Sequence, residues 1–245
     1  MTITEKEMIK KLAQKLKLPI LANYDEYVKS EESLEKGMLA LLQRQVDEKE
    51  QKSIERRIKK AKFPQIKTMD TFIFDERLPN LKEKKVRELA NSDYVEKKRN
   101  VIAIGNSGTG KTHLITALGI KEIEKGYNVY FKRASNLVTE MSKAKKENEL
   151  GEYLKKINKC QVLIIDELGY LSYDSKGASL LFQIFAERYE TKTTLITTNL
   201  EFSKWVNFLN DQTLAAAIID RLAHKTIFLN MNGESYRLKN ANISI

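Results

Sequence analysis

Cysteine, proline and histidine are all scarce: one, three and two respectively in 245 residues. A single cysteine, Cys160, excludes an internal disulfide framework and suits a reducing compartment, so a cytoplasmic location is expected. Cys160 opens an apolar run and is expected to be buried. His113 and His224 lie in different stretches. Two lone histidines do not make a metal site, and a packed or exposed role is expected for each. No window approaches the ~18–20 apolar residues of a membrane span. The opening stretch "MTITEKEMIKKLAQKLKL" has no apolar core of signal-peptide length. A membrane partner is therefore not expected. What the chain has in quantity is charge, 31% of residues, with 43 Lys and Arg against 33 Asp and Glu. The net charge of +10 points to an anionic partner, nucleic acid first.

Residues 1–65 predict a small, basic helical domain for DNA binding or oligomerisation. Thr4 and Glu7 have capping-box spacing. Met8, Leu12 and Leu16 recur at helical intervals until Pro19. A second run starts near Ser30 and places Leu34, Met38 and Leu41/Leu42 on one face. Residues 38–63 contain neither Pro nor Gly, so one long helix or a broken pair is expected. Residues 67–80 read as a linker. From there, over 66–245, short β-branched runs alternate with helical stretches: "NVIAIG" (100–105), "NVYFKR" (128–133), "CQVLIID" (160–166), "TTLITTN" (193–199) and "KTIFLN" (225–230). Such alternation predicts a parallel sheet covered by helices on both faces.

The first of these runs feeds "GNSGTGKT" (105–112), a full match to G-x-x-x-x-G-K-[ST] between a strand and a helix. Gly105, Gly108 and Gly110 let the backbone curl so that the N–H groups of Asn106, Ser107 and Thr109 and their neighbours surround a phosphate. The following helix adds its positive dipole end. Lys111 is placed to reach the β and γ phosphates of ATP, and Thr112 to bind Mg²⁺. "VLIIDELGYL" delivers Asp166 and Glu167 at a strand's carboxyl end, where α/β sheets bind ligands. Asp166 suits Mg²⁺, through water, and Glu167 suits the base that polarises an attacking water. Asn199, at the tip of "TTLITTN", would either orient that water or simply form a turn.

Only fifteen residues follow "TIFLN", which leaves no room for a multi-helix lid. Phosphoryl transfer still needs further positive charge on the γ-phosphate. Arg188, Arg221 and Arg237 are the candidates. Arg221, after the apolar helix "LAAAIID", is expected to project from the body's edge and to serve a neighbouring copy; the alternative is a pair with Asp220 or another acid. Arg188 has the alternative of pairing with Glu187 or Glu190.

Double-stranded DNA finds two basic stretches. Residues 52–67 carry Lys52, Arg56, Arg57, Lys59, Lys60, Lys62 and Lys67, with Ile54, Ile58 and Ala61 on one narrow helical face. A second cluster, Lys132, Arg133, Lys143, Lys145 and Lys146, would line the channel of a ring. Either is also explained as a solvated basic surface. Sequence-tolerant backbone contact is expected rather than base reading. Trp205 is expected in the core. Phe72 and Phe74 would stack on adenine or anchor the linker.

Taken together, "GNSGTGKTHLITALG", "LLFQIFAERYE", "VLIIDELGYL", "TTLITTNLEFSKW", "DRLAHKT" and "GESYR" resemble the IstB family of AAA+ ATPases, which assist IstA-type transposases in bacterial insertion elements. The resemblance spans about 65–240, and its relative is the DnaC helicase loader. It implies a three-layer α/β/α P-loop core with a five-stranded parallel sheet and no helical lid, and an ATP-dependent homo-oligomer, ring or spiral, that delivers DNA to a transposase. By position it assigns Lys111, Thr112, Asp166, Glu167 and Asn199 to the nucleotide. Arg221 matches the arginine acting in trans, and Arg237 a second nucleotide sensor. The rival readings are a helicase loader, a small-molecule kinase and a passive DNA coat. A kinase would need an arginine-bearing lid and an acceptor pocket. A passive coat would not need Glu167.

Overall fold

The computed structural model describes residues 4–28 and 33–239. The expected helix start near Ser30 lies outside them. The chain divides into two compact units, Met1–Arg56 and Arg57–Ile245.

The first unit is helical. Helix α1 spans Glu5–Lys15, and its capping box is complete. The Glu7 N–H donates to Thr4 Oγ1 at 3.3 Å, and Glu7 Oε2 accepts from the Thr4 N–H at 3.0 Å. Pro19 opens the short α2, Pro19–Ala22, at a helix start, where its missing N–H costs nothing. Helix α3, Leu34–Ala61, is one unbroken helix of 28 residues, resolving the choice between one helix and two.

The boundary read from the sequence, 65/66, falls later than the division between the units. The cause is Phe63. Its ring packs on Phe131 at 6.1 Å between centroids and lies against Gly119, so residues 57–65 belong with the second unit.

That unit continues with α4 (Glu83–Leu89), α5 (Asp93–Glu96), β1 (Asn100–Ile104) and α6 (Lys111–Glu124). Next come β2 (Val129–Arg133), α7 (Ala134–Lys146), α8 (Leu150–Ile157) and β3 (Val162–Leu168). Then follow α9 (Ser175–Arg188), β4 (Thr193–Thr198), α10 (Trp205–Leu209), α11 (Gln212–Ala223), β5 (Thr226–Asn230) and α12 (Tyr236–Lys239). All five predicted strands form. They make one parallel sheet in the order β2-β3-β4-β1-β5.

Side-chain alternation splits the sheet's two faces. Leu163, Ile165, Ile196 and Ile102 join the core under α7, α9, α10 and α11. Ile164 points the other way, against Gly119 of α6. The result is helix, sheet, helix in three layers. Strands β3 and β4 are buried almost throughout, as a doubly covered parallel sheet demands. Trp205 and Cys160 are both core residues, as expected.

Candidate functional site

The carboxyl ends of β1, β3 and β4 open onto a cleft of about 680 Å³. Its floor is the loop 105–110, which enters α6 with Gly108 at φ 79° and Gly110 at φ 91°, a region L-residues rarely occupy. Gly105 is required for a different reason: a Cβ there would overlap the carbonyl of Met231. Lys111 is buried and folds back on the loop, its Nζ donating to the carbonyls of Gly105 at 2.8 Å and Asn106 at 2.7 Å. Burial pulls its ammonium down to about 8, against the opposing pull of Asp166 and with a further push from Arg237.

Strand β4 lies between β1 and β3, so a β4 side chain bridges the phosphate loop and the acid pair. That side chain is Thr197. Its hydroxyl donates to Asp166 Oδ1 at 2.6 Å and accepts the Glu167 N–H at 2.9 Å. The register explains why one threonine serves two residues. Ile165 pairs with Ile196 and Leu168 with Thr198, so Asp166 and Glu167 together oppose Thr197 in a β-bulge. The bulge puts Glu167 at φ 60°, a strained setting for a residue with a Cβ, and turns the two carboxylates apart. Asp166 is 1% exposed and also accepts from Thr112 Oγ1 at 2.9 Å. Glu167 is half-exposed and faces Arg133 Nε at 3.6 Å.

These residues fit the groups the loop motif implies. Thr112 Oγ1 and Asp166 Oδ1, a hydroxyl and a carboxylate oxygen 2.9 Å apart, are hard oxygen donors of the kind that would hold Mg²⁺, Asp166 through water. Lys111, Thr112, Asp166, Glu167 and Arg237 all line the cleft, as do Ser107, Gly108, Thr109 and Gly110. Asn106 is tied to the chain after β5 by its Nδ2 donating to the Gly233 carbonyl at 3.3 Å.

Other predicted residues are placed elsewhere. Asn199 is exposed on the bend after β4, outside the cleft lining, where Thr197 stands instead. Arg188 is 2% exposed and structural. Its guanidinium donates to the carbonyls of Thr193 at 2.6 Å and Gln161 at 3.1 Å, and to Thr194 Oγ1 at 3.1 Å. It therefore holds the start of β4 rather than a phosphate, and carbonyls rather than Glu187 or Glu190 satisfy it. Arg221 lies away from its own cleft, over the Phe182 ring at 4.7 Å, with Nη1 donating to the Ala217 carbonyl at 2.9 Å. Among the described residues it makes no ion pair with Asp220.

The second basic cluster is reduced. Lys132 is paired with Glu140 at 2.6 Å, which also accepts from Tyr153, and Arg133 faces Glu167 in the cleft. Lys132 is thereby paired within the chain, while Arg133, at the end of β2, stays half-exposed beside the cleft. Lys143, Lys145 and Lys146 remain exposed, as do Arg56, Lys59, Lys60 and Lys62, while Arg57 is half-buried.

Phe72 is buried against the phosphate loop, its ring 3.0 Å from where a Gly110 Cβ would stand. Its ring meets Phe74 at 4.8 Å and His113 at 5.2 Å between centroids. His113 Nε2 hydrogen-bonds the Thr68 carbonyl at 3.0 Å. His224 Nδ1 meets the Tyr189 hydroxyl at 3.2 Å. Among the described residues no three His, Cys, Asp or Glu side chains group as a metal site.

The sequence and the fold of the chain both have counterparts among known proteins. The family model described as IstB-like ATP binding protein matches residues 11–244. The chain belongs to that family. It is 38% identical over 239 residues to an ATP-binding protein of insertion sequence IS5376 from Geobacillus stearothermophilus, covering 96% of this chain and 95% of the other. It is 40% identical over 215 residues to an ATP-binding protein of insertion sequence IS21 from Pseudomonas aeruginosa, covering 88% and 81%. Among solved structures, the DnaC helicase loader aligns with a TM-score of 0.58 at 22% identity, over 71% of this chain and 98% of that one. A replication initiator, DnaA, bound to AMPPCP and single-stranded DNA aligns equally well, with a TM-score of 0.58 at 22% identity over 73% and 54%. These two likenesses are of fold alone. No helix among the described residues is long and apolar enough to cross a membrane.

Proposed function

We propose that this IstB-family protein binds and hydrolyses ATP, assembles on double-stranded DNA in the ATP state, and recruits or activates the transposase of its insertion element. The hydrolytic part rests on one observation: Thr112, Asp166, Thr197 and the Glu167 amide form a single hydrogen-bonded chain beside the phosphate loop.

In this reading the loop amides and the α6 N-terminus hold the phosphates, and Lys111 leaves the Gly105 and Asn106 carbonyls to bind the β and γ oxygens. Thr112 and Asp166 hold Mg²⁺, which when bound neutralises charge on those oxygens. Thr197 orients the Asp166 carboxylate toward that ion and fixes the bulge. Glu167 takes the proton of the attacking water once Arg133 releases its carboxylate. Arg221, remote from its own cleft, completes a neighbour's site. The exposed cations Arg56, Lys59, Lys60, Lys62, Lys143, Lys145 and Lys146, with Arg57, meet DNA phosphates. The insertion-sequence relatives at 38% and 40% identity support the transposition reading over the helicase-loader one, which has fold likeness at 22%.

Purified protein should hydrolyse ATP faster with duplex DNA. Glu167→Gln should keep nucleotide binding and lose turnover by about 10²-fold or more. Affinity capture should retain the transposase rather than a replicative helicase. Negligible turnover, the same in the wild type and in Glu167→Gln, would reduce the protein to a passive coat. Phosphate transfer to a metabolite with no DNA effect would make it a kinase.

A further inference from the structure

The segment after β5, residues 231–239, does not leave the body of the unit. It crosses the phosphate loop as a strap. The Met231 N–H donates to the Ile104 carbonyl at 2.7 Å, and the Tyr236 N–H donates to the Gly108 carbonyl at 3.0 Å. A Cβ on Gly105 would strike Met231, and one on Gly108 would strike Ser235. The strap is fastened in turn to the linker, at Arg77. The Glu234 N–H donates to the Arg77 carbonyl at 3.2 Å. Gly233 passes so close that a Cβ would overlap that carbonyl. The Arg77 guanidinium, only 5% exposed, lies over the Tyr236 ring at 4.8 Å and is aimed by Asp75, whose Oδ2 accepts from Nε at 2.8 Å. Next to Tyr236 stands Arg237, whose charge is felt by Lys111.

We propose that Arg77 and Tyr236 are positioning residues of the nucleotide site, forming a clasp that sets the back of the phosphate loop and the location of Arg237. This rests on the nucleotide-binding reading and adds its regulation. The clasp joins two segments that each touch the loop from a different side: the linker through Phe72 on Gly110, the strap through Gly105 and Gly108. Filling the loop with a triphosphate draws Lys111 and Arg237 toward one anion, and that favours the clasped arrangement. By reciprocity, opening the clasp must weaken the nucleotide by the same factor that the nucleotide tightens the clasp.

The test uses full-length protein, a fluorescent ATP analogue with Mg²⁺, and hydrogen exchange at the Glu234 and Tyr236 amides. In the wild type, nucleotide should slow exchange at both amides about tenfold or more. Arg77→Ala and Tyr236→Ala should weaken nucleotide binding about tenfold and lose that protection. Circular dichroism and thermal melts without nucleotide establish that each variant folds. If both alanine variants melt earlier yet bind nucleotide as the wild type does, the clasp is overturned and nucleotide binding stands. If the wild type and Lys111→Ala bind the analogue equally poorly, the nucleotide reading falls, and the clasp with it.

Discussion

At the level of single residues, the site depends on small groups placed where larger or simpler ones would fail. Lys111 gives the sharpest consequence. Burial lowers its ammonium to about 8, so above that pH the free protein holds a neutral amine. A polyanion favours the charged form, so binding at higher pH takes up a proton. Nucleotide affinity should therefore fall as pH rises through about 8, by up to about tenfold per unit. Calorimetry at pH 8.5 in two buffers of different ionisation heat should register that uptake, and Lys111→Arg should abolish it. Thr197 is the second case. Replacing it by Val removes a donor to Asp166 and the acceptor for the Glu167 amide. We expect a stability loss of about 1–3 kcal/mol and a fall in turnover of about tenfold or more, with Thr197→Ser restoring both. Denaturant titration and phosphate-release assays check the two parts separately.

At the level of elements, strands were the most legible feature. The runs of β1, β3 and β4 became strands because their apolar residues fill both faces of a covered sheet, while β2 and β5 form its partly covered edges. The phosphate loop was equally plain, since its glycines and Lys111 are contiguous. What sequence could not reveal is which strand stands beside which. Thr197 reads as an ordinary threonine in "TTLITT" until β4 is placed between β1 and β3. Asn199, two residues on, was the more conspicuous polar residue, yet the bend after the strand leaves it exposed. Arg188 misled for a similar reason. An arginine near a helix end looks available, but here it closes the gap between α9 and the starts of β3 and β4. Its removal orphans buried carbonyls, so Arg188→Met should cost about 2–4 kcal/mol in thermal or denaturant melts. Nucleotide affinity at a temperature where the variant is folded should stay unchanged. The strap was invisible for a third reason: "MNGESYR" lacks the periodicity of helix or strand, and its partners Gly105, Gly108 and Arg77 lie more than a hundred residues away.

At the level of the whole molecule, the proposed assembly would share its sites between copies. Arg221 is held over Phe182 and lies outside the lining of its own cleft. Lys111→Ala and Arg221→Ala should each be nearly inactive alone, the second by about 10³-fold or more. Mixed, they should recover part of the wild-type rate, because one supplies an intact cleft and the other an intact arginine. A mixture no better than its components would remove the trans role of Arg221. The cleft also has a connection inward. Leu200 follows β4, its N–H held by Thr198 Oγ1 at 3.1 Å, and its side chain abuts Gly169 just past the bulge. Its carbonyl accepts the indole N–H of Trp205 at 3.3 Å, and Trp205 is the only tryptophan in the chain. The molecule thus contains its own optical reporter: a solitary indole, shielded from solvent and wired by two residues to the strand end where phosphate chemistry would be done, whose emission should shift if nucleotide moves that strand end.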